Sequence, residues 1–147
     1  MKRFSIVTML GMIAALITAC VGGNETVVEQ TPRDLPSTLI CPEAVPMATE
    51  GWRKGVGRYR AWRTAGDVIV YAEGQTPTPG YQIRLARQEP ERRPPHLTLY
   101  FKAPEGPVIQ VLTRFHTCAR IDAPAALDTV FVEDADGKYE LKVEQVR

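Results

Sequence analysis

The chain has 147 residues and a formal net charge of +1, with 44% hydrophobic residues. That length and apolar content suit one domain with one core, and a charge this close to zero supplies no drive toward nucleic acid. Two histidines in the whole chain are a poor ligand supply for zinc, so neither a metal nor another cofactor is expected.

Met1-Lys2-Arg3 is a short positive region, and Phe4 to Thr18 is mostly apolar, about the length of a secretory signal core. Ser5, Thr8 and Thr18 interrupt the run, which is also short for a membrane span of roughly 20 residues. It ends in Ile17-Thr18-Ala19-Cys20, which resembles the lipobox of bacterial lipoproteins: a branched apolar residue, two small residues, then the cysteine that receives lipid. The resemblance implies removal of residues 1–19, lipidation of Cys20 and anchoring by several acyl chains. Val21 in place of an acidic residue implies, in a Gram-negative cell, the outer membrane with the domain facing the periplasm. Residues 20–37 then form a lipidated cysteine and a tether. Gly22-Gly23-Asn24, Pro32 and Pro36 among charged residues cannot bury much apolar surface. Residues 38–147 remain for a single folded domain.

The domain reads as β throughout. Gly51 to Arg63 carries five positive charges and no acid; a strand is expected at Gly57 to Thr64, its arginine stems lying over aromatic surface. Val68 to Ala72 is a strand, and Tyr81 to Leu85 another, with Tyr81, Ile83 and Leu85 on one side. Pro90, Pro94 and Pro95 break the chain before a strand at Leu97 to Phe101. Pro104-Glu105-Gly106-Pro107 marks a turn, and Val108 to Phe115 reads as the next strand. Ala123 to Leu127 could form one helical turn. Thr129 to Glu133 and Lys138 to Glu144 are strands joined by Asp134-Ala135-Asp136-Gly137, a hairpin signal. Strict alternation puts Tyr139, Leu141 and Val143 on one buried face. The expected fold class is all-β, a small antiparallel sandwich or partly open barrel of about seven strands.

With Cys20 assigned to lipid, Cys41 and Cys118 are left as an even pair in an oxidising compartment, which suggests a disulfide. Thr76-Pro77-Thr78-Pro79-Gly80-Tyr81 is a stiff connection. Pro79-Gly80 suits the central positions of a type II turn, because proline presets the first φ and glycine supplies the positive second one. Thr78, a turn side chain, is expected to face solvent. A stiff loop loses little entropy on binding, which suits a contact element.

Val68 to Ile83, with its strand, Gly-Gln-Thr-Pro-Thr-Pro-Gly-Tyr turn and second strand, resembles the start of the PrcB C-terminal domain family. Gln110 to Phe115 resembles a later strand of that family. The likeness covers roughly residues 68–121; Pro79 stands where the family commonly has glycine, and Arg114 near an expected proline. It implies an all-β domain on a secreted or lipid-anchored protein, some members being linked to stabilising a partner protease, and it brings no catalytic residues. A second likeness is to chagasin-like cysteine-peptidase inhibitors. They present three loops from a β-sandwich, in an order matched here by Thr76 to Gly80, the Glu105-Gly106 turn and Arg114-Phe115. The leading Asn, one Gly of the second loop and the Pro-Trp pair of that family are missing.

Catalytic patterns are lacking. The serines are Ser5, in the signal, and Ser37, in the tether, so the domain offers no serine nucleophile. Glu89 and Glu91 lie in a Pro- and Arg-rich stretch that reads as a solvated loop. The expected function is a lipid-anchored protein-binding module rather than an enzyme, contacting a protein partner through Thr76 to Tyr81, Glu105, Gly106, Arg114 and Phe115. The alternatives are a chagasin-like peptidase inhibitor, or a structural envelope lipoprotein without a discrete ligand. The lipobox makes the first test direct. Cys20→Ala should abolish incorporation of labelled palmitate, since neither other cysteine has that context; equal labelling of variant and wild type would refute the anchor.

Overall fold

A computed structural model describes residues 39–146; the expected signal, Cys20 and the tether lie outside these residues. Eight strands form: β1 (Arg53–Lys54), β2 (Arg58–Arg63), β3 (Asp67–Thr76), β4 (Gln82–Ala86), β5 (His96–Lys102), β6 (Thr113–Asp122), β7 (Thr129–Glu133) and β8 (Lys138–Gln145). Among the described residues there is no helix; Ala123 to Leu127 makes a turn closed by Leu127 N–H on the Pro124 carbonyl at 3.0 Å. The fold is all-β, as the sequence patterns require.

The strands make one curled sheet in the order β1-β5-β7-β8-β2-β3-β6, with β4 on the other side of β5. It wraps into a half-open barrel whose unpaired edges are β4 and β6. The sheet is mixed rather than wholly antiparallel: β7 runs parallel to β5, and β8 parallel to β2. Local turns fix the direction of strands within the β2–β3, β4–β5 and β7–β8 hairpins. The last hairpin inserts as a unit between β5 and β2, and its direction there is set by tertiary packing.

The interior is built from alternate positions. Val68, Val70 and Ala72 of β3 meet Leu97 and Leu99 of β5, Ala119 and Ile121 of β6, and Val130 and Val132 of β7. The intervening β3 residues Ile69 and Tyr71 are buried too. They form an outer cluster with Trp62 and Cys118, covered by Leu39 and Cys41. Burial on both faces explains why β3 reads as a continuous apolar run. Tyr139 does share a face with Leu141 and Val143, but it is 36% exposed and lies against Tyr59, with ring centroids 5.4 Å apart.

The sequence expectation of a strand over Val108 to Phe115 is corrected. β6 begins at Thr113, which pairs with Thr76, the last residue of β3. Beyond that pair no strand of the described residues lies alongside to take up backbone groups, and residues 108–112 are a loop. β6 instead runs on to Asp122, opposite Asp67.

Cys41 and Cys118 form the expected disulfide, with Cα atoms 5.3 Å apart and a sequence separation of 77 residues. It pins the chain that follows against β6. Arg120 N–H donates to the Pro42 carbonyl at 2.7 Å, and Ala44 N–H donates to the Arg120 carbonyl at 2.7 Å, making a parallel bridge at Glu43. On the far side, Arg87 N–H donates to the Val45 carbonyl at 3.3 Å. Residues 42–45 thus fill the lower part of the seam between β6 and β4. Cys41→Ser/Cys118→Ser should lose about 2–5 kcal/mol, read as a lower urea midpoint that matches the reduced wild type.

Candidate functional site

The three segments singled out in the sequence meet at one end of the half-barrel. The Gly80 backbone adopts φ +86°, as the turn demands, and a side chain there would come within 3.3 Å of Pro104 Cβ. Thr76 Oγ1 donates to the Thr78 carbonyl at 2.8 Å, with the Thr113 carbonyl 3.3 Å away. Gln75 pairs with Arg114 in the β3–β6 ladder. The turn therefore touches both the 104–107 segment and the start of β6.

Exposure divides the predicted residues. Pro77, Gly80, Glu105, Gly106 and Arg114 face solvent, and Pro79 and Tyr81 are half-buried. Thr76 and Thr78 are only 2% and 5% exposed, which corrects the expectation that Thr78 faces outward. The hydroxyl of Thr76 is used inside the loop to satisfy the Thr78 carbonyl, so the turn folds over its own threonines. Phe115 is also turned inward, edge-on to Phe101 with centroids 5.1 Å apart. It lies over Gly74, where a Cβ would fall 2.8 Å from its ring. Tyr81 lies 5.9 Å from the Phe101 ring, and its hydroxyl accepts a hydrogen bond from Arg53 Nη2 at 2.9 Å.

Sequence reasoning missed the most exposed apolar feature of this end. Ile109 and Leu112 are 68% and 72% exposed, and Val108 and Val111 lie open beside them. The loop is held in shape: Thr113 Oγ1 donates to the Val111 carbonyl at 2.9 Å, and Val111 N–H to the Ile109 carbonyl at 3.2 Å. Residues 103–112 contain one ionisable side chain, Glu105, between Lys102 and Arg114. The available sequence signal was a run without strict alternation, entered through Pro104 and Pro107.

The neighbouring β7–β8 turn is organised by Asp134, 3% exposed. Its Oδ2 accepts from the Tyr59 hydroxyl at 2.6 Å and its Oδ1 from Asp136 N–H at 2.8 Å and Gly137 N–H at 3.1 Å. Burial and the Asp134 hydrogen bond push the Tyr59 phenol far above its ordinary range, so it remains a donor. Both groups are committed to joining the hairpin to β2. The basic stretch is similarly engaged: Arg58 lies 3.5 Å from Glu73, Lys54 lies 2.6 Å from Glu133, and Arg63 donates to the Pro124 and Leu127 carbonyls.

Beside this segment lies a cleft of about 320 Å³ lined by Pro42, Glu43, Val45 and Met47, Ile83 to Ala86 of β4, and Thr117 and Cys118 of β6. Among the described residues no group of three or more His, Cys, Asp or Glu is placed to hold a metal ion. Comparison with family models, curated proteins and solved structures gave no match.

Two substitutions probe the turn. Gly80→Val should cost about 1–3 kcal/mol, because a β-branched residue resists positive φ. Thr78→Arg should also destabilise, by about 2–4 kcal/mol, since it forces a guanidinium into a closed site. Urea unfolding of both checks this; a wild-type midpoint for Thr78→Arg would contradict the buried placement.

Proposed function

We propose that this protein is a lipid-anchored, protein-binding module of the bacterial envelope, and that it acts without catalysis. The observation that carries the reading is the ordered loop with Ile109 and Leu112 in solvent, beside the turn at Gly80 and the start of β6. An exposed cluster of large apolar side chains on a small domain is a feature of interaction sites. Its fixed shape limits the entropy lost on docking. The lipobox-like segment supports a place at a membrane surface, where the domain would reach an envelope partner.

The contact surface in this reading differs from the one expected from sequence. Pro77, Gly80, Glu105, Gly106 and Arg114 remain available at its rim, while Val108, Ile109, Val111 and Leu112 form its apolar centre. Burial of Thr76 and Thr78 does not favour a peptidase-inhibitor loop working through those side chains.

A photo-reactive amino acid at Ile109 or Leu112 should give a discrete cross-linked adduct in intact cells, and one at Glu144 should not. Ile109→Asp/Leu112→Asp should keep the wild-type unfolding midpoint, because both side chains are already in water, yet lower partner affinity about tenfold or more. Absence of any adduct from both loop positions would leave a purely structural envelope role.

A further inference from the structure

Residues 39–47 run along the seam as a strap that forms no strand, only the isolated bridge at Glu43. Its hold on the barrel is light. Of its residues Ala44 alone joins the interior, and Leu39 and Cys41 lie over Trp62, Ile69 and Tyr71. Beyond these it has the main-chain bonds to Arg120 and Arg87, and a bond at 3.1 Å from Gln88 Nε2 to the Met47 carbonyl. Pro42, Glu43, Val45 and Met47 border the cleft, so open space rather than packed side chains separates much of the strap from β4 and Thr117. Ile40 is 94% exposed. A segment with so few buried apolar contacts opens more readily than the strands beneath it. The Cys41–Cys118 bond holds it closed.

We infer that Cys41–Cys118 is a redox latch: reduction by a dithiol frees residues 39–47 from the seam while the strands stay folded, and so lengthens the tether. The lengthening, unlike the latch, rests on the lipid-anchored reading. Cys41 is half-buried, whereas Cys118 is 5% exposed, so a thiolate reaches the Cys41 sulfur first. Attack there breaks the S–S bond, forms a mixed disulfide at Cys41 and leaves Cys118 as a thiolate, which takes up a proton. The reductant's second thiol then attacks the mixed disulfide and closes the oxidised reagent, and Cys41 is released as a thiol. Both electrons come from the dithiol. With the cross-link gone, the strap regains the backbone freedom that extended residues give up, against few hydrogen bonds and little buried apolar area. The interior stays whole because, apart from Ala44, it is built by residues of the barrel. Released, residues 39–47 add up to about 30 Å of extended chain between Cys20 and the turn closed by Trp52 N–H on the Thr49 carbonyl. The domain then reaches envelope partners that the latched form does not.

The test uses the full-length protein purified from membranes in detergent and treated with dithiothreitol without denaturant. Iodoacetamide should then alkylate both Cys41 and Cys118, read by peptide mapping. The Ala44, Arg87 and Arg120 amides, which bond across the boundary of the strap, should exchange about tenfold or more faster, while Val70 and Val132 keep their protection. Cys41→Ser/Cys118→Ser should show that pattern with no reductant present. Cysteines that resist dithiothreitol, or strap amides that stay protected after reduction, make the bond a staple and overturn the latch. Loss of protection at Val70 and Val132 together with the strap overturns it too, since reduction then unfolds the domain. On a supported phosphatidylcholine bilayer, the layer of lipidated protein should thicken on reduction by neutron reflectometry; unchanged thickness overturns the lengthened tether. None of the exchange or alkylation readouts involves Cys20. A failed palmitate label therefore removes the anchor and the lengthening but not the latch, whereas protected strap amides remove the latch and leave the anchor.

Discussion

The structure depends on how a curled sheet deals with two edges that do not pair. An open edge exposes a row of backbone donors and acceptors, which costs free energy if buried and invites association if left bare. Here the lower half of the seam is closed by residues 42–45, which bond to Arg120 on one side and Arg87 on the other. So short a bridge has little intrinsic stability, because each residue fixed in extended form costs about 1–2 kcal/mol of backbone entropy. The Cys41–Cys118 bond removes much of that cost by holding the segment beside β6. Ala44 then completes the interior from the seam side, while Leu39 and Cys41 cover Trp62, Ile69 and Tyr71 on the outer face.

The same constraint shapes the end where the loops gather. The β3–β6 ladder stops at Thr76 and Thr113, so the chain on either side must satisfy itself locally. On one side, Thr76 donates to the Thr78 carbonyl and the turn closes over its own hydroxyl-bearing side chains. On the other, the 108–112 run has no neighbouring strand among the described residues and presents Ile109 and Leu112 to solvent. The end of one ladder thus produces a closed turn, which meets Pro104 at Gly80 and Thr113 at Thr76, and an open apolar loop that leads into β6. The geometry of this end is a consequence of where pairing stops, while the Tyr59–Asp134 hydrogen bond joins the adjacent β7–β8 hairpin to β2.

Much of the fold was legible because it follows from local rules. The continuous apolar run at Val68 to Ala72, the alternation after Lys138 and the Asp-Gly turn between β7 and β8 depend on side-chain period and turn chemistry, which are written in consecutive residues. The positive φ at Gly80 was readable for the same reason. The site was only half legible. Gly80, Pro104 and Arg114 do gather, yet Thr78 is buried and the apolar loop replaces an expected strand. A β-rich run becomes a strand only when a partner edge lies beside it, and no local pattern encodes that neighbour.

By itself, then, the sequence determined an all-β chain of short hairpins, the stiff turn at Pro79-Gly80 and Cys41 and Cys118 as a candidate pair. These depend on intrinsic torsional preference, on periodicity and on the chemistry of single residues. Only the tertiary structure decided that the β7–β8 hairpin enters between β5 and β2 with two parallel pairings. It also decided that β6 begins at Thr113 and that residues 42–45 close half of the seam. Each of these is a contact between residues far apart in the chain, fixed by which edges and apolar faces meet when the sheet curls, and that is a property of the whole fold rather than of any stretch within it.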